Sequence, residues 1–210
     1  MASDPSPAER RDHWNAAYTR NPPDRVSWFE AEPTTSLDLV ETCALAPDSP
    51  IIDIGGGASR LSGALYARGY RDLSILDIAR TALDEAARSL PATVTMIEAD
   101  ITAWQPQKHY ALWHDRAVFH FLTDPQDRAS YLATLRRAVM PHGHVILATF
   151  APDGPERCSG LPVVRYDADR MAELLAPDFT LIARRAHTHN TPGGAAQRFI
   201  YAHLQRTGPG

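Results

Sequence analysis

The sequence predicts an α/β fold, a doubly wound and mostly parallel sheet with helices on both faces. Short apolar runs recur as strand candidates at Ile51–Ile54, Leu73–Leu76, Val94–Ile97, Ala111–His114 and His144–Phe150. Each is apolar on both faces, as parallel strands covered by helices are. Stretches with helical start and stop signals separate them. The tail differs: a helix at Asp167–Leu175 precedes two strands, Phe179–Ala186 and Gln197–His203, joined by a loop containing Pro192–Gly194. That arrangement predicts an antiparallel pair at the sheet edge, with ligands held at the carboxyl ends of the parallel strands.

Taken in order, the first fifty residues form a polar, proline-punctuated arm with helices at Ala8–Tyr18 and Thr35–Ala46, the second offered N-caps by Thr34, Thr35 and Ser36. Ser59 is placed to cap a helix that runs through Arg68 and ends at Gly69. Thr81 opens the next helix, and Pro91 lies past its end. Asp124-Pro125 puts an N-cap directly before an N1 proline, and that helix continues through Leu132, Leu135 and Val139 towards Pro141. No internal repeat, heptad or extended low-complexity tract interrupts the pattern.

Composition narrows the class. At 210 residues, 44% hydrophobic and 22% charged, the chain reads as one soluble domain over 1–210. No window approaches the roughly 18 consecutive apolar residues of a membrane span. Met1–Pro7 carries neither a basic region nor an apolar segment, so no secretory signal is expected. Two cysteines, Cys43 and Cys158, make no disulfide framework, and a cytoplasmic location is the expectation. A net charge of −4 argues against a nucleic-acid surface. Lys108 is the lone lysine among 21 basic residues, a bias of composition rather than a phosphate-binding device.

The chemistry concentrates in Ile51-Ile52-Asp53-Ile54-Gly55-Gly56-Gly57-Ala58-Ser59, followed by Asp77 and Asp100. An apolar run ends on a carboxylate, and three glycines then let backbone press against a ligand. Phosphate sites want bare amides without a nearby acid. A carboxylate favours a ligand carrying positive charge, such as the amino acid end of S-adenosylmethionine. The nicotinamide fingerprint is the rival, but Arg60 stands where its third glycine belongs. Asp77 follows Asp53 by 24 positions, near the spacing that brings an acid to the next strand end. Two ribose hydroxyls donating to one carboxylate make strong, charge-assisted bonds. A helix or turn cap is the plainer role for Asp77 and Asp100.

From about Ser49 to Arg206 the chain resembles the class I, seven-stranded, Rossmann-like S-adenosylmethionine-dependent methyltransferases. Ile52-Asp53-Ile54-Gly55-Gly56-Gly57 is similar to their first glycine motif, with Ser59 in place of its last glycine. The resemblance implies that Asp77, closing Ser74-Ile75-Leu76-Asp77-Ile78, holds the ribose. It likewise implies that Asp100, in Glu98-Ala99-Asp100-Ile101, accepts from the adenine amine. Leu135 to Leu147 resembles the family's helix, Pro-Gly-Gly turn and fifth strand, with His142 replacing the first turn glycine and altering the turn's geometry. The cofactor set it implies is Trp14, Trp28, Asp53, Gly55, Gly56, Gly57, Ser59, Asp77, Ile78, Asp100, Ile101 and His114, and the spent donor is S-adenosylhomocysteine.

Methyl transfer from a sulfonium needs alignment, exclusion of water and, for some acceptors, removal of a proton. Trp113-His114-Asp115-Arg116-Ala117-Val118-Phe119-His120-Phe121 resembles the Asp-Arg-Gly or Asp-Arg-Ala segment of small thiol, thiopurine and halide methyltransferases. It lacks the Asn-Pro-Pro-Tyr type of signature that holds a planar nitrogen. Asp115 and Arg116 are read either as acceptor contacts or as an ion pair bracing the pocket. His120 is read as a general base or as a helix-face histidine satisfied by backbone. Ala151–Arg165 is too long for a simple connection and predicts a lid. Its Cys158 is either a soft-acceptor contact or a packed small residue. Trp14, Tyr18 and Trp28 are expected to stack on or seal the donor, or simply to pack the arm on the sheet.

Histidine pairs His142/His144 and His187/His189 each share one face of a strand, but no cysteine or carboxylate cluster is visible to complete a site, and no metal is assigned. A magnesium-dependent catechol O-methylation is disfavoured because no acidic cluster suggests a magnesium site. The expectation is thus a transferase with a helical cap (1–48), a cofactor-binding core (49–150), an acceptor lid and helix (151–178) and a C-terminal strand pair (179–206). Its acceptor is a small, soft nucleophile, sulfide or a small thiol. Protein lysine N-methylation is the alternative enzyme, and a non-catalytic nucleoside-binding module the alternative of another class. A monomer or homodimer is expected, with no nucleic-acid or membrane partner.

Overall fold

A computed structural model describes residues 6–22 and 24–208; the leading Met1–Pro5, read above for a leader, lie outside the described residues. The chain runs α1 (Pro7–Arg20), α2 (Thr34–Thr42), β1 (Ile51–Ile54), α3 (Leu61–Ala67), β2 (Leu73–Asp77), α4 (Arg80–Ser89), β3 (Thr95–Glu98) and β4 (Tyr110–Arg116). After a 3-10 turn at Phe119–Phe121 come α5 (Pro125–Ala138), β5 (Val139–Phe150), β6 (Arg157–Cys158), β7 (Leu161–Pro162), α6 (Ala168–Leu175), β8 (Phe179–Asn190) and β9 (Ala196–Arg206).

Seven strands form one sheet in the order β3-β2-β1-β4-β5-β9-β8. Pairs among β1 to β5 are parallel, while β9 runs antiparallel to both β5 and β8. The expected doubly wound fold is present, with its reversed strand between two others near one edge. Period-2 alternation sorts the core into two layers. Ile52, Ile54 and Trp113 face Leu135, Met171 and Leu175 of α5 and α6. Ile51 and Leu112 face Leu37, Leu61 and Leu83 of α2, α3 and α4. Winding changes direction between β1 and β4, and a crevice opens beyond their carboxyl ends.

Caps explain which boundaries were readable. Asp124 accepts from the Gln126 and Asp127 amides at 2.6 and 3.3 Å, and Pro125 occupies N1 of α5. Asp167 caps α6 through the Arg170 amide. At α2 the expected hydroxyl caps are not used: Pro33 precedes the helix, and the Ser36 side chain is turned into the core. Ser59 does engage its helix, accepting from the Leu61 amide at 3.1 Å, although α3 starts only at Leu61. His142, with φ at +62°, stands in the left-handed region that favours glycine. Among the described residues no helix is long and apolar enough to cross a membrane.

Candidate active site

Each glycine of the first motif is fixed by something packed against it. Gly55 has φ +67°, and a Cβ there would lie 2.2 Å from Val118 Cγ2. On Gly56 it would meet Asp53 Oδ2 at 2.4 Å, and on Gly57 it would meet Ala82 Cβ at 2.4 Å and Asp77 Oδ2 at 2.6 Å. The turn therefore brings two carboxylates against bare backbone. Asp77 accepts from the Ala79 amide at 2.8 Å and the Gly57 amide at 3.1 Å, one bond to each oxygen. Burial nevertheless pushes its carboxyl up to about 6, against the pull of those amides.

Two adjoining hollows flank the turn, of about 810 and 540 Å³, with Tyr18, Trp28, Ile54, Gly55 and Arg116 in the walls of both. The larger is bordered by Asp77, Ile78, Asp100 and Ile101 on the sheet side and by Arg10 and Trp14 of α1. Gly56, Ser59, Asp53 and His114 border the smaller. Gly57 borders neither; its amide holds Asp77. The arm is tied across this opening. Asn15 Oδ1 accepts from the Thr81 amide at 3.1 Å, supplying the acceptor that α4 lacks at its own N-cap. Trp14, Trp28, Tyr18 and Phe121 form edge-to-face pairs with centroids 5.0–5.7 Å apart.

Two acidic positions are more occupied than their motif suggests. Asp53 Oδ1 is 2.7 Å from His114 Nδ1, and His114 Nε2 is 2.9 Å from Ser36 Oγ, all three buried. Asp53 Oδ2 has no hydrogen-bond partner among the described residues. Asp100 holds Thr102 through Oδ1, and Oδ2 meets Arg10 at 2.8 Å while Arg10 also reaches Asp127 at 2.6 Å. Burial opposes its ionisation, but Arg10 and Thr102 outweigh that and hold its carboxyl below the usual range. Arg10 belongs to no motif, and no sequence pattern marks it.

Beyond β4 the geometry reassigns two expected acceptor residues. Asp115 is fully buried and borders neither hollow. It accepts from the Val118 amide at 2.8 Å, the Phe119 amide at 3.1 Å and the Tyr131 hydroxyl, and so braces the turn after β4. Nor does it pair with Arg116. His120 is also fully buried, Nδ1 accepting from the Phe150 amide at 3.3 Å, with its ring against Phe121 and Phe150. Burial, and then nearby Arg116, lower its pKa to about 3, far from that of a base working near neutrality.

Arg116 and Cys158 do border the larger hollow. The Arg116 guanidinium donates to the Trp28 carbonyl at 3.0 Å, lies 3.0 Å from Glu30 Oε1 and stacks 4.6 Å from the centre of the Phe199 ring. Its Nε has no hydrogen-bond partner among the described residues. Burial pushes the Cys158 thiol up to about 11. Cys158 sits in the short β6–β7 hairpin.

Of the two histidine pairs, His187/His189 gains Glu30 beside it, whereas His142 joins no grouping among the described residues; Cys43 instead stands against His144 and His203. Sequence separations of more than 100 residues hid both groupings.

Residues 51–143 match a family model described as a methyltransferase domain. The matched segment holds Asp53, the glycines, Asp77, Asp100 and Arg116, and it leaves the arm, the β6–β7 hairpin and the last strand pair outside. No match was found among curated proteins. Among solved structures, the Burkholderia thailandensis 1,6-didemethyltoxoflavin-N1-methyltransferase, with its substrate and S-adenosylhomocysteine bound, is 19% identical with a TM-score of 0.73 and covers 99% of this chain and 93% of its own. A protein described by the conversion of a disulfide bond into a thioacetal group during echinomycin biosynthesis is 15% identical, with a TM-score of 0.74 and coverages of 94% and 91%. A SAM-dependent methyltransferase from Anabaena variabilis is 18% identical, with a TM-score of 0.72 and coverages of 94% and 95%. Likeness at such identity establishes the fold, the Rossmann-like seven-stranded sheet.

Proposed function

We propose that the protein is an S-adenosylmethionine-dependent methyltransferase whose acceptor is a small, soft, anionic nucleophile, of which sulfide and small thiols are the types. The residues fit the donor. A side chain on any motif glycine would collide with Val118, Asp53, or Ala82 and Asp77, and each Asp77 oxygen, holding one amide, keeps a lone pair for a ribose hydroxyl. Asp100, Ile78 and Ile101 would border the adenine, and Gly55, Gly56, Ser59 and Asp53 the amino acid end. Bound there, the sulfonium supplies an electrophilic methyl group. Trp14, Tyr18 and Trp28 exclude water from the hollow, in keeping with a cap over 1–48, a core over 49–150, a lid and helix over 151–178 and an edge pair over 179–206.

One observation carries the acceptor reading: the buried Arg116 guanidinium, in the wall shared by both hollows, has an N–H with no acceptor. An anion satisfies that donor. No base is ready beside it, since His120 is neutral and enclosed, and Asp115 is fully engaged. The acceptor must therefore arrive ionised, which a thiol does near neutral pH and an amine does not. A lysine side chain would meet the Arg116 cation. Methylation of a ring nitrogen in a small molecule is the second reading, favoured by the toxoflavin-type relative; the echinomycin relative involves sulfur.

Labelled donor is offered separately with sulfide, small thiols, small nitrogen heterocycles and bacterial protein. The expected product is methylated sulfur. Arg116→Met lowers its formation by about 10–100-fold, the worth of a hydrogen bond to a charge, with donor affinity kept. Label found only on nitrogen or only on protein would end the soft-acceptor reading.

A further inference from the structure

Beside the smaller hollow, which Glu30 borders, three side chains converge from two distant parts of the chain. Glu30 follows Trp28 in the arm. His187 and His189 alternate along the edge strand β8, so both rings lie on one face of the sheet. His187 Nε2 is 3.2 Å and His189 Nδ1 3.5 Å from the same atom, Glu30 Oε1. All three candidate ligand atoms lie within 4.8 Å of one another.

The remaining ring nitrogens are already anchored. His189 Nε2 is 2.8 Å from the Ser27 carbonyl, and His187 Nδ1 is 3.1 Å from Thr35 Oγ1. A carbonyl only accepts, so His189 carries its proton on Nε2, and a neutral ring turns the Nδ1 lone pair towards Glu30. The Thr35 hydroxyl can accept or donate, and where His187 Nδ1 donates to it the Nε2 lone pair is free in the same way. A proton or a metal ion fits between these nitrogens and Glu30 Oε1, which Arg116 Nη2 also approaches at 3.0 Å. The distances favour the metal ion: charge-assisted N–H···O contacts run about 2.7–2.9 Å, shorter than either separation here. Ligands at about 2.0–2.1 Å around a tetrahedral ion stand about 3.3 Å apart, between the two.

We propose that Glu30, His187 and His189 form a binding site for a zinc-class divalent cation, with a fourth position open to an added ligand. Two imidazoles and one carboxylate suit such an ion. The outer shell is built as such sites require: a backbone carbonyl and a hydroxyl orient the two rings, and the Arg116 guanidinium lies 3.0 Å from the carboxylate. The His189 side chain is 4% exposed and that of His187 28%, so the site is sheltered and yet has an entrance. The ion would clasp the segment bearing Trp28 onto β8. Because Trp28 walls the donor hollow, metal loading and donor affinity are linked in this reading.

The second cluster closes without an ion and serves as the control. His144 Nδ1 lies 3.0 Å from His203 Nε2, a hydrogen bond between the rings, and burial pushes the Cys43 thiol up to about 12, against thiolate ligation.

The test is a zinc titration of chelator-stripped full-length protein in competition with a chromogenic chelator, repeated with cobalt for its visible spectrum. One equivalent of zinc, a four-coordinate cobalt spectrum, and affinity reduced at least tenfold in both Glu30→Gln and His187→Ala support the site. His144→Ala retains wild-type uptake. Each variant's thermal melt is recorded, and His187→Gln stands in should His187→Ala fail to fold. Absence of stoichiometric uptake overturns the proposal, as does uptake that survives the Glu30 and His187 changes or vanishes with His144→Ala. Donor calorimetry on the same samples reads the methyltransferase assignment separately.

Discussion

The donor and acceptor sides of the crevice use acidic residues in opposite ways. Asp77, at the end of β2, has only backbone amides as partners and borders the hollow. Asp115, one strand beyond β1 on the other side, borders nothing and gathers two amides and a tyrosine hydroxyl inward. Burial raises both carboxyls to about 6. A similar perturbation thus marks a ligand position in one case and a structural brace in the other, and only the direction each side chain faces separates them.

Breaking the brace has the largest expected effect. Asp115→Ala leaves the Val118 and Phe119 amides and the Tyr131 O–H donor without acceptors, although the Tyr131 oxygen still accepts from Trp113, at about 1–3 kcal/mol for each unsatisfied group. A loss of about 4 kcal/mol in denaturant unfolding is expected, enough to threaten folding outright. The milder Asp115→Asn keeps part of the network and should retain donor affinity. A stable Asp115→Ala protein that has lost only acceptor turnover would restore Asp115 to the acceptor site.

On the donor side the effect moves from stability to binding. Asp77→Ala removes two charge-assisted bonds, so affinity for S-adenosylmethionine and S-adenosylhomocysteine falls by about 100-fold, near 3 kcal/mol. Calorimetry reads it directly. Unchanged affinity for both would make Asp77 a brace like Asp115, and the contrast would vanish.

That contrast also explains what the sequence could disclose. Strand β1, the glycine turn and the Asp124-Pro125 helix start were legible because local rules decide them: an apolar run, a close backbone approach, a cap with an N1 proline. The doubly wound, mostly parallel sheet followed from the alternation of strands and helices, but the strand order came only with the fold. At the acceptor end the residue types were visible, but not where they point. His120 and Asp115 have the chemistry of catalysts, and burial removes them from use. Ser36 has the chemistry of a cap, and a histidine 78 positions away claims it. Arg10, Glu30 and their partners lie so far apart in the chain that no spacing connects them.

A pH series sharpens the comparison at intermediate size. The Asp77 carboxyl stands at about 6 in the folded protein against an ordinary 3.8, so the folded state binds its proton more tightly than the unfolded chain does. Ligand-free stability from this group, and from Asp115 with the same direction, is present below about pH 4 and is lost as pH rises through about 6. Donor binding has the opposite sign, because hydroxyls need the carboxylate. Affinity should rise about tenfold per unit up to pH 6 and then level off, with Asp77→Asn flat throughout. Glu30 and Asp100, held below their ordinary values, contribute only in more acid solution.

The smallest effect concerns two left-handed residues, Gly55 at φ +67° and His142 at φ +62°. At Gly55 the conformation coincides with a close approach, 2.2 Å from any Cβ to Val118, so alanine there fails on two counts. His142 is exposed and faces the conformational demand alone. The left-handed penalty of about 1–2 kcal/mol is partly offset by the entropy glycine loses on folding, about 0.5–1 kcal/mol. His142→Gly should therefore stabilise the protein by about 0.5 kcal/mol in equilibrium unfolding and leave donor binding untouched. A clear destabilisation would mean that the His142 ring does more than tolerate its turn, and that this glycine replacement, unlike the backbone freedom at Gly55, was selected for a contact.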